Sequence, residues 1–299
     1  MRPLDRLLFL GDRTLVLFIG MAVGGAIAMS FLGGAGQADR AEANRPAAPV
    51  LATPVQPVRD PLSPRLAQAA AQRRKIRIGV FGDSFGEGIW SGLYHQLRGD
   101  ERFEVIELAE RSTGFTRYRS LDLLEDTRTK LDREPIDIAV LSFGANDTQG
   151  IYLDGRGHTY MSESWQRIVA ARAAAIVGLL RSRGITVYWV GLPKMRDPAF
   201  DADIARMNHF YAARMRALEV PYIETAPLTV DEQGRYLAYL PAERGRERRA
   251  ARVNDGIHMT IPGYVHVMRG LSERIVRTVD GPEGQAGRAP APADTGRGG

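Results

Sequence analysis

Hydrophobic positions follow two different periods within residues 75–280, and the two periods alternate along the chain. Short apolar or β-branched runs predict five buried strands, at residues 76–82, 103–108, 136–143, 185–191 and 220–224. Apolar residues recur at helical spacing in the segments that follow, at residues 86–98, 120–133, 163–183, 201–218 and 262–279. Strands that alternate with helices predict an α/β fold, a three-layer α/β/α sandwich with a mostly parallel sheet.

The N-terminal part of the chain has a different pattern. Residues 1–13 include three arginines, and residues 14–36 carry no charged side chain. Roughly 20 such residues cross a hydrocarbon core about 30 Å thick, and arginines before the span keep the N-terminus inside. We therefore expect a single-pass anchor in a bacterial inner membrane with the body in the periplasm. A signal peptide cleaved near Ala41-Glu42-Ala43 is the alternative, which would release the protein to the periplasm.

Two further segments are expected to lie outside the folded domain. Residues 37–74 are rich in proline and alanine, which favours an extended linker without a helix. Residues 281–299 are rich in glycine, alanine and proline and predict a disordered tail. The domain is therefore expected over residues 75–280. Within it, residues 149–163 carry neither period and predict a loop.

Composition excludes some classes of function. The chain has no cysteine, which rules out disulfides, thiol nucleophiles and cysteine metal sites. The formal net charge of +5 is modest and comes with no nucleic-acid motif, so we expect no nucleic-acid partner. We also expect no metal site and no cofactor.

The turn after the first predicted strand is the main candidate for chemistry. It reads Gly82-Asp83-Ser84 and leads into a predicted helix. Ligands bind at the carboxyl ends of strands in open α/β sheets, and a helix start offers unpaired N–H groups. Ser84 is therefore a candidate nucleophile. A simple helix cap with turn glycines would explain the same residues.

Three later segments are expected at the same edge of the sheet. Gly114 follows the second predicted strand, and Asn146 follows the third. Of the five histidines, only His258 has an aspartate three residues before it. That spacing lets Asp255 reach one ring nitrogen while the other faces Ser84. A helix start, a turn and a loop glycine would account for the same residues without catalysis.

These segments together resemble the SGNH, or GDSL-like, hydrolase superfamily, in particular its bacterial members exported to the envelope. The blocks are Gly82-Asp83-Ser84, Gly114, Gly144-Ala145-Asn146-Asp147 and Asp255-Gly256-Ile257-His258. The resemblance implies that Ser84 is the nucleophile, His258 the general base and Asp255 the acid that orients it. It also implies an oxyanion hole built from the N–H groups of Ser84 and Gly114 and the side-chain amide of Asn146.

The resemblance implies an ester hydrolase that works through an acyl-serine. The expected substrate is an acylated glycan or another ester, with O-acyl groups of envelope carbohydrate favoured. An O-acyltransferase that modifies a periplasmic glycan would use the same residues. A non-catalytic envelope scaffold is the third possibility, although a scaffold has no need of an intact Ser84, Asp255 and His258.

Substrate contacts are harder to assign. A basic run over residues 243–252 precedes Asp255, and Arg246, Arg248 and Arg249 are candidates to hold an anionic glycan or a phospholipid headgroup. Such a run is also typical of a solvated face. Asp147 is a further candidate substrate contact. Trp90 and Tyr94 follow the nucleophile at helical spacing, which favours a core position over a sugar platform.

Overall fold

The computed structural model describes residues 63–241 and 248–286. The predicted anchor at residues 14–36, most of the predicted linker, and Arg246 lie outside these ranges. None of the helices within them is long and apolar enough to cross a membrane.

A five-stranded parallel sheet forms the centre of the domain. Its strands are β1 (Ile76–Gly82), β2 (Phe103–Glu107), β3 (Ile138–Ser142), β6 (Thr186–Val190) and β7 (Tyr222–Ile223). Two further strands, β4 (Ile151–Leu153) and β5 (Arg156–His158), form a separate hairpin. The order in the main sheet is β2-β1-β3-β6-β7, and every pair is parallel. Every residue of β3 and β6 is buried, as expected for parallel strands covered on both faces. The predicted α/β fold with a mostly parallel sheet is therefore confirmed.

Six α-helices lie around the sheet within the described part of the chain. They are α1 (Pro64–Ala71), α2 (Ser84–Leu97), α3 (Leu123–Arg133), α4 (Glu163–Ser182), α5 (Pro198–Ala217) and α6 (Ile261–Ala286). Helices α1 and α2 both contact α6, while α3 contacts α4. The loops that the structure describes contain three short 3₁₀ turns, at Phe115–Arg117, Ala145–Asp147 and Ala226–Thr229.

Helices α2 and α6 pack closely because α2 carries two glycines on the shared face. A Cβ added to Gly88 would overlap the ring of Tyr264, and one added to Gly92 would lie 2.6 Å from the Tyr264 carbonyl oxygen. The missing side chains let the two backbones approach. This contact fixes the helix that begins at Ser84 against the helix that follows His258.

The linker expectation is wrong for residues 64–71, which form α1. Pro64 occupies the first turn of the helix, where a missing N–H costs nothing, and the Ser63 side chain accepts from Leu66 N. Leu66 and Ala69 are fully buried. Pro64 therefore marks a helix start rather than an extended chain.

A buried carboxylate ties α1 to the sheet. The oxygens of Asp137 accept from Arg65 Nε at 3.0 Å, from Arg74 Nη1 at 2.7 Å and from Arg77 N at 3.0 Å. Burial alone would raise the pKa of Asp137, but these hydrogen bonds and the charge of Arg74 lower it below its ordinary value. The folded domain thus begins before residue 75.

Two other boundaries differ from expectation. Helix α6 continues to Ala286, so the first residues of the predicted tail are helical. The loop predicted over residues 149–163 contains the antiparallel β4–β5 hairpin, with Ile151 opposite His158. Each of its strands has only three residues, too few to produce a detectable period.

Candidate active site

The turn between β1 and α2 presents Ser84 at the carboxyl edge of the sheet. Gly82 ends the strand with φ +156°, and a Cβ there would lie 2.3 Å from the Ser142 carbonyl oxygen. Asp83 caps the helix, since its Oδ1 accepts from Phe85 N at 2.9 Å. Ser84 is the first residue of α2, where backbone N–H groups have no partner within the helix.

The structure brings Ser84, His258 and Asp255 into one hydrogen-bonded chain. Ser84 Oγ lies 2.8 Å from His258 Nε2, and His258 Nδ1 lies 2.7 Å from Asp255 Oδ2. The carboxylate favours the ring proton on Nδ1, so Nε2 is left to accept the proton of Ser84. The Phe85 ring stacks on the His258 ring with centroids 5.2 Å apart, which limits rotation of the imidazole.

The loop that carries Asp255 and His258 is held by its own backbone. Asp255 Oδ1 accepts from Ile257 N at 2.8 Å and from His258 N at 2.9 Å. Partial burial raises the pKa of Asp255, but the hydrogen bonds from the His258 ring and these two N–H groups outweigh it and lower the pKa below its ordinary value. Asp255 is therefore ionised at neutral pH.

Arg252 supports the same loop from beneath. It is 6% exposed, and its Nη2 donates to the carbonyl oxygens of Ile257 at 3.0 Å and Lys194 at 2.6 Å. Its guanidinium lies over the Tyr236 ring, 4.6 Å from the centroid. Sequence reasoning missed this role because Arg252 ends a basic run that resembles a solvated face.

The three predicted oxyanion donors lie in neighbouring elements. Asn146 Nδ2 donates to the Thr113 carbonyl oxygen at 2.9 Å and lies 3.2 Å from Asp83 Oδ2. Thr113 directly precedes Gly114. A Cβ at Gly114 would lie 2.6 Å from Asp147 Oδ1, so only glycine fits there. Ser84 and Asn146 line the same cleft.

Asp147 does not face a substrate, and the prediction that it is a substrate contact is wrong. Its side chain is fully buried, and its Oδ1 accepts from Thr116 N and Thr116 Oγ1, both at 2.8 Å. It therefore fixes the segment after Gly114 from below. Burial raises the pKa of Asp147. Burial, with a smaller contribution from the charge of Asp147, also raises the pKa of the fully buried Asp83 to about 7. The hydrogen bond from Phe85 N lowers this pKa, but by less than burial raises it.

A cleft of about 640 Å³ opens above the nucleophile. The first turns of α2 supply one side, including Trp90 and Ser91, and Val253 and Ile261 lie on the other. Trp90 thus lines the cleft as well as packing on the core, which the sequence did not suggest.

Charged residues at this cleft differ from those that the sequence suggested. Glu87 and Arg111 both line it and form an ion pair with each other. Of the predicted arginines, Arg248 lies over the Tyr239 ring, 5.5 Å from its centroid. Neither Arg248 nor Arg249 lines the cleft, and Arg246 lies outside the described ranges. A role for this run in binding glycan remains a prediction.

The predicted resemblance to the SGNH hydrolases is confirmed, because the blocks that carry it meet at one edge of the sheet. Residues 77–274 match the model of a family described as a protein of unknown function, DUF459. No curated protein matches the chain.

Several solved structures are similar to this chain. The lipopolysaccharide acetyltransferase periplasmic domain of Salmonella ser. Paratyphi A is 10% identical, with 71% of this chain and 88% of that chain covered and a TM-score of 0.48. A GDSL-like lipase from Bacteroides thetaiotaomicron is 15% identical, with 70% and 98% covered and a TM-score of 0.46. A carbohydrate esterase family 3 protein from Talaromyces cellulolyticus is 10% identical, with 69% and 98% covered and a TM-score of 0.45.

Proposed function

This chain belongs to the DUF459 family, and we propose that it is a serine esterase that works through an acyl-serine intermediate. The observation that carries the proposal is the hydrogen-bonded chain from Ser84 Oγ through the His258 ring to Asp255. A serine hydroxyl is a weak nucleophile unless a base takes its proton, and this arrangement supplies both the base and the acid that orients it.

In the first half of the reaction, Ser84 Oγ attacks the ester carbonyl carbon while its proton moves to His258 Nε2. The ionised Asp255 stabilises the imidazolium that forms. The tetrahedral intermediate carries its negative oxygen towards the N–H of Ser84, with Gly114 and Asn146 as the further donors. When the intermediate collapses, the bond to the alcohol oxygen breaks and His258 returns its proton to the leaving alcohol.

In the second half, a water molecule replaces the alcohol. His258 Nε2 takes a proton from the water as it attacks the acyl carbon. Collapse of the second intermediate breaks the bond to Ser84 Oγ, releases the carboxylic acid and restores the serine hydroxyl. If a sugar hydroxyl attacks instead, the acyl group is transferred, so hydrolase and O-acyltransferase differ only in this acceptor.

The substrate that we propose is an O-acylated carbohydrate of the cell envelope. The arginines before the uncharged span 14–36 support export of the body, with the anchor retained in the inner membrane. A reporter that is active only in the periplasm, fused after Asp280, should be active, and the protein should stay with membranes after an alkaline wash. Recovery of a soluble species beginning near Asn44 would favour a cleaved signal peptide.

The experiment that tests the proposed function is labelling with a serine-reactive fluorophosphonate together with turnover of p-nitrophenyl acetate. The wild type should be labelled at Ser84, and Ser84→Ala should lose both labelling and turnover while keeping the wild-type circular dichroism. Ser91→Ala is the matched control, since Ser91 lines the same cleft on the same helix and should keep both. Labelling at another serine would show that the nucleophile is wrongly assigned. Acceptor sugars added to the assay, followed by mass spectrometry, distinguish transfer from hydrolysis.

A further inference from the structure

Two aromatic side chains on α2 form a continuous surface beside the cleft. Trp90 and Tyr94 lie one helical turn apart, and their rings stack at 26° with centroids 5.8 Å apart. Trp90 Nε1 donates to the Val105 carbonyl oxygen at 3.3 Å, which fixes the orientation of the indole. Tyr94 is 41% exposed, and Trp90 is partly buried. We call these two residues the aromatic pair.

The aromatic pair extends away from the nucleophile. Trp90 lines the cleft that contains Ser84. At about 1.5 Å per residue, Trp90 and Tyr94 lie roughly 9 and 15 Å from Ser84 along the helix axis. A substrate group bound at Ser84 therefore has an aromatic surface on which its continuation can lie.

The neighbours of the aromatic pair are polar. Glu87, Trp90, Ser91 and Tyr94 have the spacing of one helix face. Glu87 forms an ion pair with Arg111, which compensates the charge of the Glu87 carboxylate. A long acyl chain would need an unbroken apolar groove, and these polar groups interrupt it. A sugar ring instead presents an apolar C–H face to an aromatic ring and hydroxyl groups to polar neighbours.

We propose that the aromatic pair binds the sugar rings of a glycan chain next to the acylated unit held at Ser84. This proposal rests on the proposed function and narrows its substrate to an oligosaccharide or polysaccharide. The catalytic groups act on the ester, and the aromatic pair distinguishes an extended chain from a single sugar.

The test compares substrates that differ only in chain length. Steady-state kinetics are measured on p-nitrophenyl acetate, on O-acetylated xylose and glucose, and on the corresponding O-acetylated β-linked tetrasaccharides. The wild type should show a higher kcat/KM on at least one tetrasaccharide than on its monosaccharide. Trp90→Ala and Tyr94→Ala should each lose about fivefold to tenfold on that tetrasaccharide, mainly through KM. Tyr94→Ala, whose side chain does not line the cleft, should keep the wild-type rate on p-nitrophenyl acetate.

Ile261→Ala is the matched control, because Ile261 is an exposed apolar residue that lines the same cleft from another segment. It should keep the preference for the longer chain. Binding of the unacetylated tetrasaccharides, measured by calorimetry, should be weakened in Trp90→Ala and unchanged in Ile261→Ala. This readout requires no turnover, so it separates the proposal from the proposed function, which fails if the wild type does not hydrolyse p-nitrophenyl acetate.

Three outcomes would overturn the proposal. Equal kcat/KM values of the wild type on monosaccharides and tetrasaccharides would exclude a subsite for further sugars. An equal loss on p-nitrophenyl acetate and the tetrasaccharide in Trp90→Ala would mean that Trp90 supports α2 structurally. A changed preference of Trp90→Ala among p-nitrophenyl esters of two to eight carbons would identify an acyl chain as the occupant.

Discussion

The side-chain amide of Asn146 donates to the carbonyl oxygen of Thr113 at 2.9 Å. This bond joins the 3₁₀ turn that follows β3 to the backbone one residue before Gly114, so two of the proposed oxyanion donors are fixed relative to each other. The same amide nitrogen also lies 3.2 Å from Asp83 Oδ2, the longer of the two contacts. We infer that the N–H directed at Asp83 is shared with the oxyanion, while the bond to Thr113 keeps the amide in place.

Asn146→Ala is therefore expected to lower kcat by about 10²–10³, with little change in KM, because the amide binds the charged oxygen of the intermediate more than the neutral carbonyl. Steady-state kinetics on p-nitrophenyl acetate would measure both constants. A higher KM with an unchanged kcat would instead make Asn146 a residue that binds the substrate in its ground state.

Gly114→Ala should lower kcat by at least about tenfold and reduce the free energy of unfolding. The added Cβ would meet Asp147 Oδ1 at 2.6 Å, and the buried carboxylate can move away only by giving up its bonds to Thr116. Gly178→Ala in α4 is the control, since a Cβ added at Gly178 would have no atom within 4 Å. That variant should keep full activity and gain up to about 1 kcal/mol of stability from helix propensity. Parallel assays of turnover and urea unfolding would test both expectations, and an active Gly114→Ala would exclude a close fit at this loop.

The catalytic chain could be predicted from the sequence because its signals are local. The strand before Ser84 is short and mostly apolar. The three-residue spacing of Asp255 and His258 lets the loop form the hydrogen bond between these two side chains. Asp147 was misassigned because its sequence position beside Asn146 does not show which way the side chain points. In the structure it points into the protein, towards Thr116.

Arg252 and α1 show a different limit. Arg252 lies in a run of arginines, and only the folded chain separates the buried member from its neighbours. Helix α1 follows several prolines, and its apolar face is too short to stand out from the linker composition. What stabilises both is tertiary packing, which local propensity does not encode.

Stability should fall as the pH rises from about 4 to about 7, because of the buried acids below the site. The pKa of Asp83 is raised to about 7, so the folded state holds a proton that the unfolded chain has lost in that range. The free energy of unfolding therefore decreases through this window and levels off above it. The raised pKa of Asp147 acts in the same direction.

Asp147→Asn should flatten this pH dependence. The amide oxygen can still accept from Thr116, while the variant removes one raised acid and the negative charge that raises the pKa of Asp83. Urea unfolding at pH 5 and pH 8 would measure the difference. The variant should lose less stability than the wild type between the two values, and an equal or larger loss would contradict buried acids as the cause.

The last prediction concerns where the domain begins. A protein that starts at Lys75, the boundary expected from sequence, should be less stable than one that starts at Gln56 by about 4.5–6 kcal/mol. Removing α1 exposes the surface under Leu66, worth about 1.5–3 kcal/mol, and removes Arg65 and Arg74 from Asp137. An uncompensated buried charge costs about 3–5 kcal/mol, and the lower end applies because both arginines are partly exposed.

Two substitutions in the longer protein separate these contributions. Leu66→Ala should cost about 2–4 kcal/mol, because the side chain is fully buried. Gln68→Ala, on the exposed face of the same helix, should be nearly neutral. Urea unfolding of all four proteins at pH 7 provides the measurement. If the two chain lengths were equally stable and Leu66→Ala were neutral, α1 would not contribute to the fold, and the linker would extend to residue 74 as the proline content suggests.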